Sequence, residues 1–204
     1  DIRTVNKHNL ENIDFVVHMS ELSNDPLGNL NKNLTNEINH YGTKKLLDLC
    51  QGTNISKFIY MSSASVYGLA ETESHESSKT NPLTDYAKAK VLNENLIVNT
   101  DYDFEVIILR NSTVFGYSKN LRLDLVINDL AYSGYINKKL KLTSDGTPKR
   151  PFVHISDLCD LIDKFLKENR SFNKEIFNVG SSSLNLSIKQ VAEAIAVFLN
   201  IERV

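Results

Sequence analysis

The 204-residue chain lacks most of the features that mark specialised protein classes. It has two cysteines, Cys50 and Cys159, too few for a disulfide scaffold, and both fall among apolar helical residues where buried, reduced thiols are expected. No apolar run approaches the roughly 20 residues of a membrane-spanning helix, and the first residues carry no basic-then-apolar leader pattern. A cytoplasmic protein without a membrane partner is the expectation. Neither sign of charge dominates: 23 Lys and Arg against 25 Asp and Glu give a net charge of −2, with no basic block to attract nucleic acid. His8, His40 and His75 have no ligand spacing, so no metal site is expected. The eight glycines are spaced too widely for a G-x-x-G-x-x-G loop that would bring backbone amides to a pyrophosphate.

What remains is an ordinary soluble composition, 41% hydrophobic and 24% charged, with a regular alternation of short apolar runs and helical segments. Residues Asp14 to His18, Lys57 to Ser62 and Glu105 to Arg110 read as buried strands. Helices are expected between them, over Asn39 to Gln51 and Asp85 to Val98. Right-handed crossovers then place the three strands in one parallel sheet with their C-terminal ends on one edge. Beyond Gly116 the pattern predicts a helix around Leu125 to Tyr132, a short strand near Leu140 to Thr143 and a turn at Ser144 to Pro148. A helix behind Ser156 as N-cap, a strand over Glu175 to Gly180 and a last helix with a Ser187/Gln190 capping box follow. Leu158, Leu161, Ile162, Phe165 and Leu166 are expected to line the first of these helices. Ile188, Val191, Ala192, Ile195, Phe198 and Leu199 are expected to line the second. Glu71 to Asn81 is polar enough for a mobile surface loop.

One combination carries chemistry. The strand at 57 to 62 ends in M-S-S-A-S-V-Y-G (Met61 to Gly68), which puts the hydroxyls of Ser62, Ser63 and Ser65 where ligand clefts of open α/β sheets lie. Tyr86 and Lys90 follow, four residues apart on one helical face. Tyr-x-x-x-Lys occurs three times in the chain, so context has to choose. Tyr41 with Lys45 reads as helix surface or packing, and Tyr135 precedes a solvated Lys138–Lys139 pair at a helix end. Only Tyr86 follows a strand that ends in hydroxyls, and only there can a serine, a phenol and an ammonium meet.

With the serine strand, Tyr86, Lys90 and the segment Arg150-Pro-Phe-Val-His-Ile-Ser-Asp157, the chain resembles the extended short-chain dehydrogenases/reductases. Within these it is most similar to the NAD-dependent epimerase/dehydratase group typified by UDP-glucose 4-epimerase. The resemblance implies an α/β fold: a Rossmann-like parallel sheet lacking its first strands and glycine-rich loop, with a smaller C-terminal substrate lobe. Residues 1–116 would be the C-terminal part of the NAD(P)-binding domain. Residues 117–204 would be a sugar-nucleotide lobe, with a segment at about 151–180 returning to the first domain. The chain is accordingly expected to be an internal fragment of a longer enzyme.

The resemblance also implies residue roles. Ser63, Tyr86 and Lys90 would be catalytic. Asp1 and Ile2 would lie at the adenine, and His18, Met19, Ser20, Asn39, Ser62 and Asn111 would lie along the rest of the cofactor. Ser65, Thr113, Arg122 and Arg150 would face the substrate, with Arg150 on the diphosphate. Two positions depart from the family pattern. Thr113 stands where an asparagine is usual, and Ala64-Ser65 stand where the 4,6-dehydratases carry Asp-Glu for water loss, which argues for an epimerase or reductase. The expected activity is NAD-dependent nucleotide-sugar epimerisation, with NADP left open. A reductase or dehydrogenase of the same family, or a non-catalytic remnant, are the alternatives. A homodimer built on the helices at 39–51 and 85–98 is expected from the resemblance alone.

Overall fold

The first three apolar runs become parallel strands, each paired with the next run along. The structure, a computed structural model, describes residues 1–23, 31–70 and 72–202. In chain order it contains β1 (Phe15–His18), α1 (Lys32–Asn36), α2 (Gly42–Cys50), β2 (Lys57–Ser63), α3 (Asp85–Asn99), β3 (Glu105–Asn111) and β4 (Thr113–Phe115). There follow α4 (Val126–Asn137), β5 (Lys149–His154), α5 (Ile155–Lys167), β6 (Ile176–Val179), β7 (Asn185–Ser187) and α6 (Ile188–Leu199). Two compact units result, residues 1–111 with 162–178, and residues 112–161 with 179–202. The division thus falls at Asn111, where β3 ends, and not at 116. The returning segment is 162–178, shorter than about 151–180.

The first unit is built on a sheet in the order β1-β2-β3-β6. β1, β2 and β3 run parallel, with His18 opposite Tyr60 and Ser63 opposite Asn111. Phe58, Tyr60, Val106 and Ile108 are fully buried and form one core with Leu46, Leu47, Cys50 and Ile97. Burying each large apolar side chain contributes about 1.5–3 kcal/mol, so this cluster dominates the unit's stability. The helical stretch expected from Asn39 begins earlier, at α1, and passes through a π turn at Glu37–Tyr41 before α2. Gly42 closes that turn because a Cβ there would lie 2.8 Å from the Ile2 side chain.

The second unit holds a sheet in the order β4-β5-β7. β4 and β5 are parallel, and β5 and β7 are antiparallel. Its core joins Leu130 of α4, Leu140, Phe152 of β5 and Val191, Ala192 and Ala196 of α6. The strand expected near Leu140 to Thr143 does not form. Leu140 is buried in the core with Leu142 packed against it, and among the described residues the pairing there is an isolated bridge from Lys139 to Glu202.

Other details differ from the sequence reading for local reasons. α5 starts at Ile155, and its first turn is capped by His154, whose Nδ1 accepts from the Ser156 amide, so Ser156 is not the cap. Cys159 is exposed while Cys50 is buried, because Cys159 sits at the margin of the stripe formed by Leu158 and Phe165. Phe198 is exposed, next to exposed Val197, so α6 buries a narrower face than expected, although its capping box forms as written. The 71–81 stretch, of which Glu71 lies outside the described residues, is tied down at Glu76, whose carboxylate accepts from the Asn178 amide at 2.8 Å.

Candidate active site

β2 delivers two adjacent serines to opposite faces of the sheet, as strand geometry requires. Ser62 Oγ donates to Glu94 Oε1 at 2.5 Å and is buried. That hydroxyl is therefore taken up inside the protein, contrary to its expected place on a cofactor. Ser63 points the other way and N-caps a short 3-10 turn over Ala64–Tyr67. Its Oγ accepts from the Ser65 amide at 3.2 Å and from Ser65 Oγ at 2.9 Å. Its own hydrogen is directed at no described residue. Gly68 ends the turn at φ +67, where a Cβ would lie 2.1 Å from the Asn81 carbonyl oxygen.

α3 starts at Thr84, whose side chain caps it, so Tyr86, Lys90 and Glu94 fall on successive turns of one face. Lys90 is buried, donates to the Met61 carbonyl of β2, and lies 5.4 Å from the centre of the Tyr86 ring and 4.9 Å from that of Tyr60. One turn on, Glu94 receives the Arg110 guanidinium at 2.6 Å. Arg110 also donates to Tyr67 Oη at 2.9 Å and the Glu76 carbonyl at 3.0 Å, and Tyr67 Oη donates to Asn178 Oδ1 at 2.6 Å. This network locks the end of β3 and the turn after β2 around the Tyr86 helix.

Lys90 is paired by a residue that the sequence reading missed. Glu21 Oε2 stands 2.8 Å from Lys90 Nζ, with both side chains no more than 5% exposed. The other carboxylate oxygen accepts from Tyr60 Oη at 2.9 Å. Burial first, and then the Glu21 charge, hold the Tyr60 phenol protonated well above its usual range. His18 lies behind Glu21 at 3.8 Å, but burial lowers its pKa to about 4, with Lys90 adding to the effect against Glu21. It is a neutral ring. Thr43 Oγ1 donates to the Asn39 carbonyl, so the His18 Nε2–H donates to Thr43 and Nδ1 is left to accept from the Ser20 amide.

The remaining sequence-selected residues divide sharply. Asn39 is fully buried and its carboxamide clasps the Leu22 backbone, at 2.8 Å to the amide and 3.0 Å to the carbonyl. It shapes the chain after β1. Met19 and Ser20 are exposed at the C-terminal end of β1. Asp1 accepts from the Arg3 amide and pairs with the Arg3 guanidinium at 2.5 Å, while Ile2 packs into the core. Asn111 donates to the carbonyls of Ser62 and Leu109, and its buried Oδ1 has no partner among the described residues. Thr113, Arg122 and Arg150 belong to the second unit. There Thr113 is half-buried on β4, Arg122 pairs with Asp124 at 2.6 Å, and exposed Arg150 donates to the Lys149 carbonyl. Tyr41 and Tyr135, of the two rival Tyr-x-x-x-Lys pairs, are exposed. Among the described residues no group of His, Cys, Asp or Glu could hold a metal ion, and no helix is long and apolar enough to cross a membrane.

A serine-tipped parallel strand facing Tyr86 and Lys90 on the next helix coincides with a family model. Residues 2–180 match the model described as the NAD dependent epimerase/dehydratase family. The chain belongs to this family. Its relatives include the dTDP-D-glucose 4,6-dehydratase of Homo sapiens, 28% identical over 186 residues, covering 90% of this chain and 52% of that protein. The UDP-glucuronate 4-epimerase of Thermodesulfobacterium geofontis is 30% identical over 160 residues, covering 77% of this chain and 48% of that protein. The solved UDP-glucuronic acid 4-epimerase of Bacillus cereus, in complex with UDP-glucuronic acid and NAD, superposes with a TM-score of 0.89 at 25% identity. That match covers 100% of this chain and 65% of the solved one. The chain spans about half the length of the curated relatives it matches.

Within this epimerase/dehydratase chain, the residues that sequence reasoning missed are Glu21, Tyr60, Asn93, Glu94 and Arg110. Glu94 could have been found from its spacing, since it continues the Tyr86–Lys90 face by four residues. Glu21 had no such signal.

Proposed function

We propose that the protein carrying this chain is an NAD-dependent enzyme acting on a nucleotide sugar, and that its reaction is epimerisation at a sugar carbinol. The observation that carries this reading is Lys90, which lies beside the Tyr86 ring and donates to the Met61 carbonyl, two residues before Ser63 at the end of β2. Tyr86 takes the proton of the sugar hydroxyl, and Lys90, 5.4 Å from its ring, favours the phenolate. Ser63 already accepts two hydrogen bonds from Ser65, so its own hydrogen is available to the sugar oxygen. Two of the three Lys90 N–H donors face Met61 and Glu21, which leaves one for a cofactor ribose, and the unpartnered Asn111 Oδ1 is a further acceptor nearby on β3. These groups fit the nicotinamide end of a dinucleotide. NAD, when bound, supplies the hydride acceptor and donor.

Epimerisation is favoured over dehydration because Ala64 and Ser65 offer neither acid nor base beside Ser63. NAD and the nucleotide-sugar relatives support the cofactor and substrate class, and a homodimer remains part of the proposal. Incubating the complete protein with NAD and a panel of UDP- and dTDP-sugars, followed by product analysis, tests it. The expected product is an epimer formed without net accumulation of reduced nicotinamide. Stoichiometric reduced cofactor would make the protein a dehydrogenase, and a 4-keto-6-deoxy product would make it a dehydratase.

A further inference from the structure

A carboxylate as buried as Glu21 needs a counter-charge, because the desolvation penalty of an uncompensated charge amounts to several kcal/mol. The groups facing it come from every surrounding element. Tyr60 on β2 donates to it at 2.9 Å, Asn93 on α3 approaches at 3.4 Å and Thr43 on α2 at 3.3 Å, none of which brings charge. His18 on β1 is neutral, since burial lowers its pKa to about 4. His40 in the π turn is bonded to Asn93 Oδ1 at 2.7 Å, and Arg110 on β3 is engaged by Glu94 at 2.6 Å. Among the described residues, Lys90 at 2.8 Å is therefore the cation that balances Glu21.

We propose that Glu21 is a positioning residue for the Tyr86–Lys90 pair. Its carboxylate holds the Lys90 ammonium against the Met61 carbonyl and offsets its charge, so that Tyr86 gives up its proton at a higher pH than a tyrosine beside an unpaired lysine. The lysine thus has two roles of opposite demand. It must be held in place, which the ion pair achieves, and it must stabilise a phenolate, which the same ion pair weakens. The balance sets the pH at which Tyr86 becomes a base.

The inference takes its functional meaning from the reading of Tyr86 as the acid–base residue, but its test does not depend on turnover. Near-ultraviolet phenolate absorbance of the complete protein, minus that of its Tyr86→Phe variant, isolates the Tyr86 titration. In Glu21→Gln, which keeps the shape and removes the charge, the midpoint should fall by about one pH unit, and in Glu21→Asp it should stay near that of the parent. The acid limb of the turnover profile should move with it. An unmoved midpoint in Glu21→Gln overturns the inference, whereas absence of turnover on any nucleotide sugar overturns only the function proposed above. Should Glu21→Gln fail to fold, the double variant Glu21→Gln/Lys90→Met, with both charges removed, should regain a cooperative unfolding transition. A double variant that also fails to fold contradicts the pairing.

Discussion

Two buried ion pairs lie one turn apart on α3, and they are built differently. Arg110 meets Glu94 with a guanidinium fork. Nε reaches both carboxylate oxygens at 3.1 and 3.2 Å, Nη2 reaches one at 2.6 Å, and Nη1 donates to Tyr67 and the Glu76 carbonyl. Ser62 completes the carboxylate. Burial opposes the Arg110 charge, but Glu94 and Tyr67 outweigh it and leave the guanidinium pKa raised. Lys90 meets Glu21 as a point charge at 2.8 Å, with Oε2 making no well-formed hydrogen bond. The satisfied pair holds the sheet edge, and the unsatisfied pair stands beside the candidate base. Incomplete satisfaction marks the place where a ligand or a proton has work to do.

The largest expected effect separates the two pairs by function. Tyr86→Phe should lower turnover about 10² to 10⁴-fold with the fold intact, the usual contribution of a positioned acid–base group, and near-normal turnover would remove Tyr86 from the mechanism. Glu94→Gln should act on stability instead. Leaving Arg110 buried without its counter-charge should cost about 3–5 kcal/mol in denaturant unfolding, and a loss below about 1 kcal/mol would show that the pair is not structural.

Acid should reveal the wall behind Glu21. The folded-state pKa of His18, about 4, lies below its ordinary 6.5, so between those values the unfolded chain takes up a proton that the folded chain excludes. The stability held by neutral His18 is then full above about pH 6.5 and is lost as pH falls towards 4, amounting to about 3 kcal/mol. Unfolding free energy against pH should be flatter over this interval in His18→Gln, and parallel curves would refute the buried neutral ring. At the small end stands the exposed pair Lys44–Asp48 on α2, at 2.7 Å. Lys44→Ala should change stability by no more than about 0.5 kcal/mol, the scale of a solvent-screened helical pair.

How far the sequence reached follows the same division. β2, β3 and α3 were legible because buried parallel strands read as apolar runs and because Tyr86 and Lys90 repeat with helical spacing. That β3 runs to Asn111 and that β4 and β7 are short depend on pairing, which no local pattern records. Ser62 and Ser63 were given different roles, cofactor and catalysis, but only the alternation of the strand at its register with Arg110 and Asn111 shows Ser62 turned to the interior against Glu94 and Ser63 to the other face. The clasp of Asn39 on Leu22 was not legible, because it requires the π turn and the chain reversal after β1. Glu21 was invisible for the same reason. It lies in a short polar stretch between Met19 and Ser23, where a solvated acid is the ordinary expectation, and its burial depends on β1 ending beside α2 and α3.

The most direct measurement is a crystal structure of the complete protein with NAD and the nucleotide sugar proposed as its substrate. The account predicts that the reacting sugar hydroxyl lies within hydrogen-bonding reach of both Tyr86 Oη and Ser63 Oγ, with Lys90 still paired to Glu21. A reacting hydroxyl placed away from Tyr86 would contradict it.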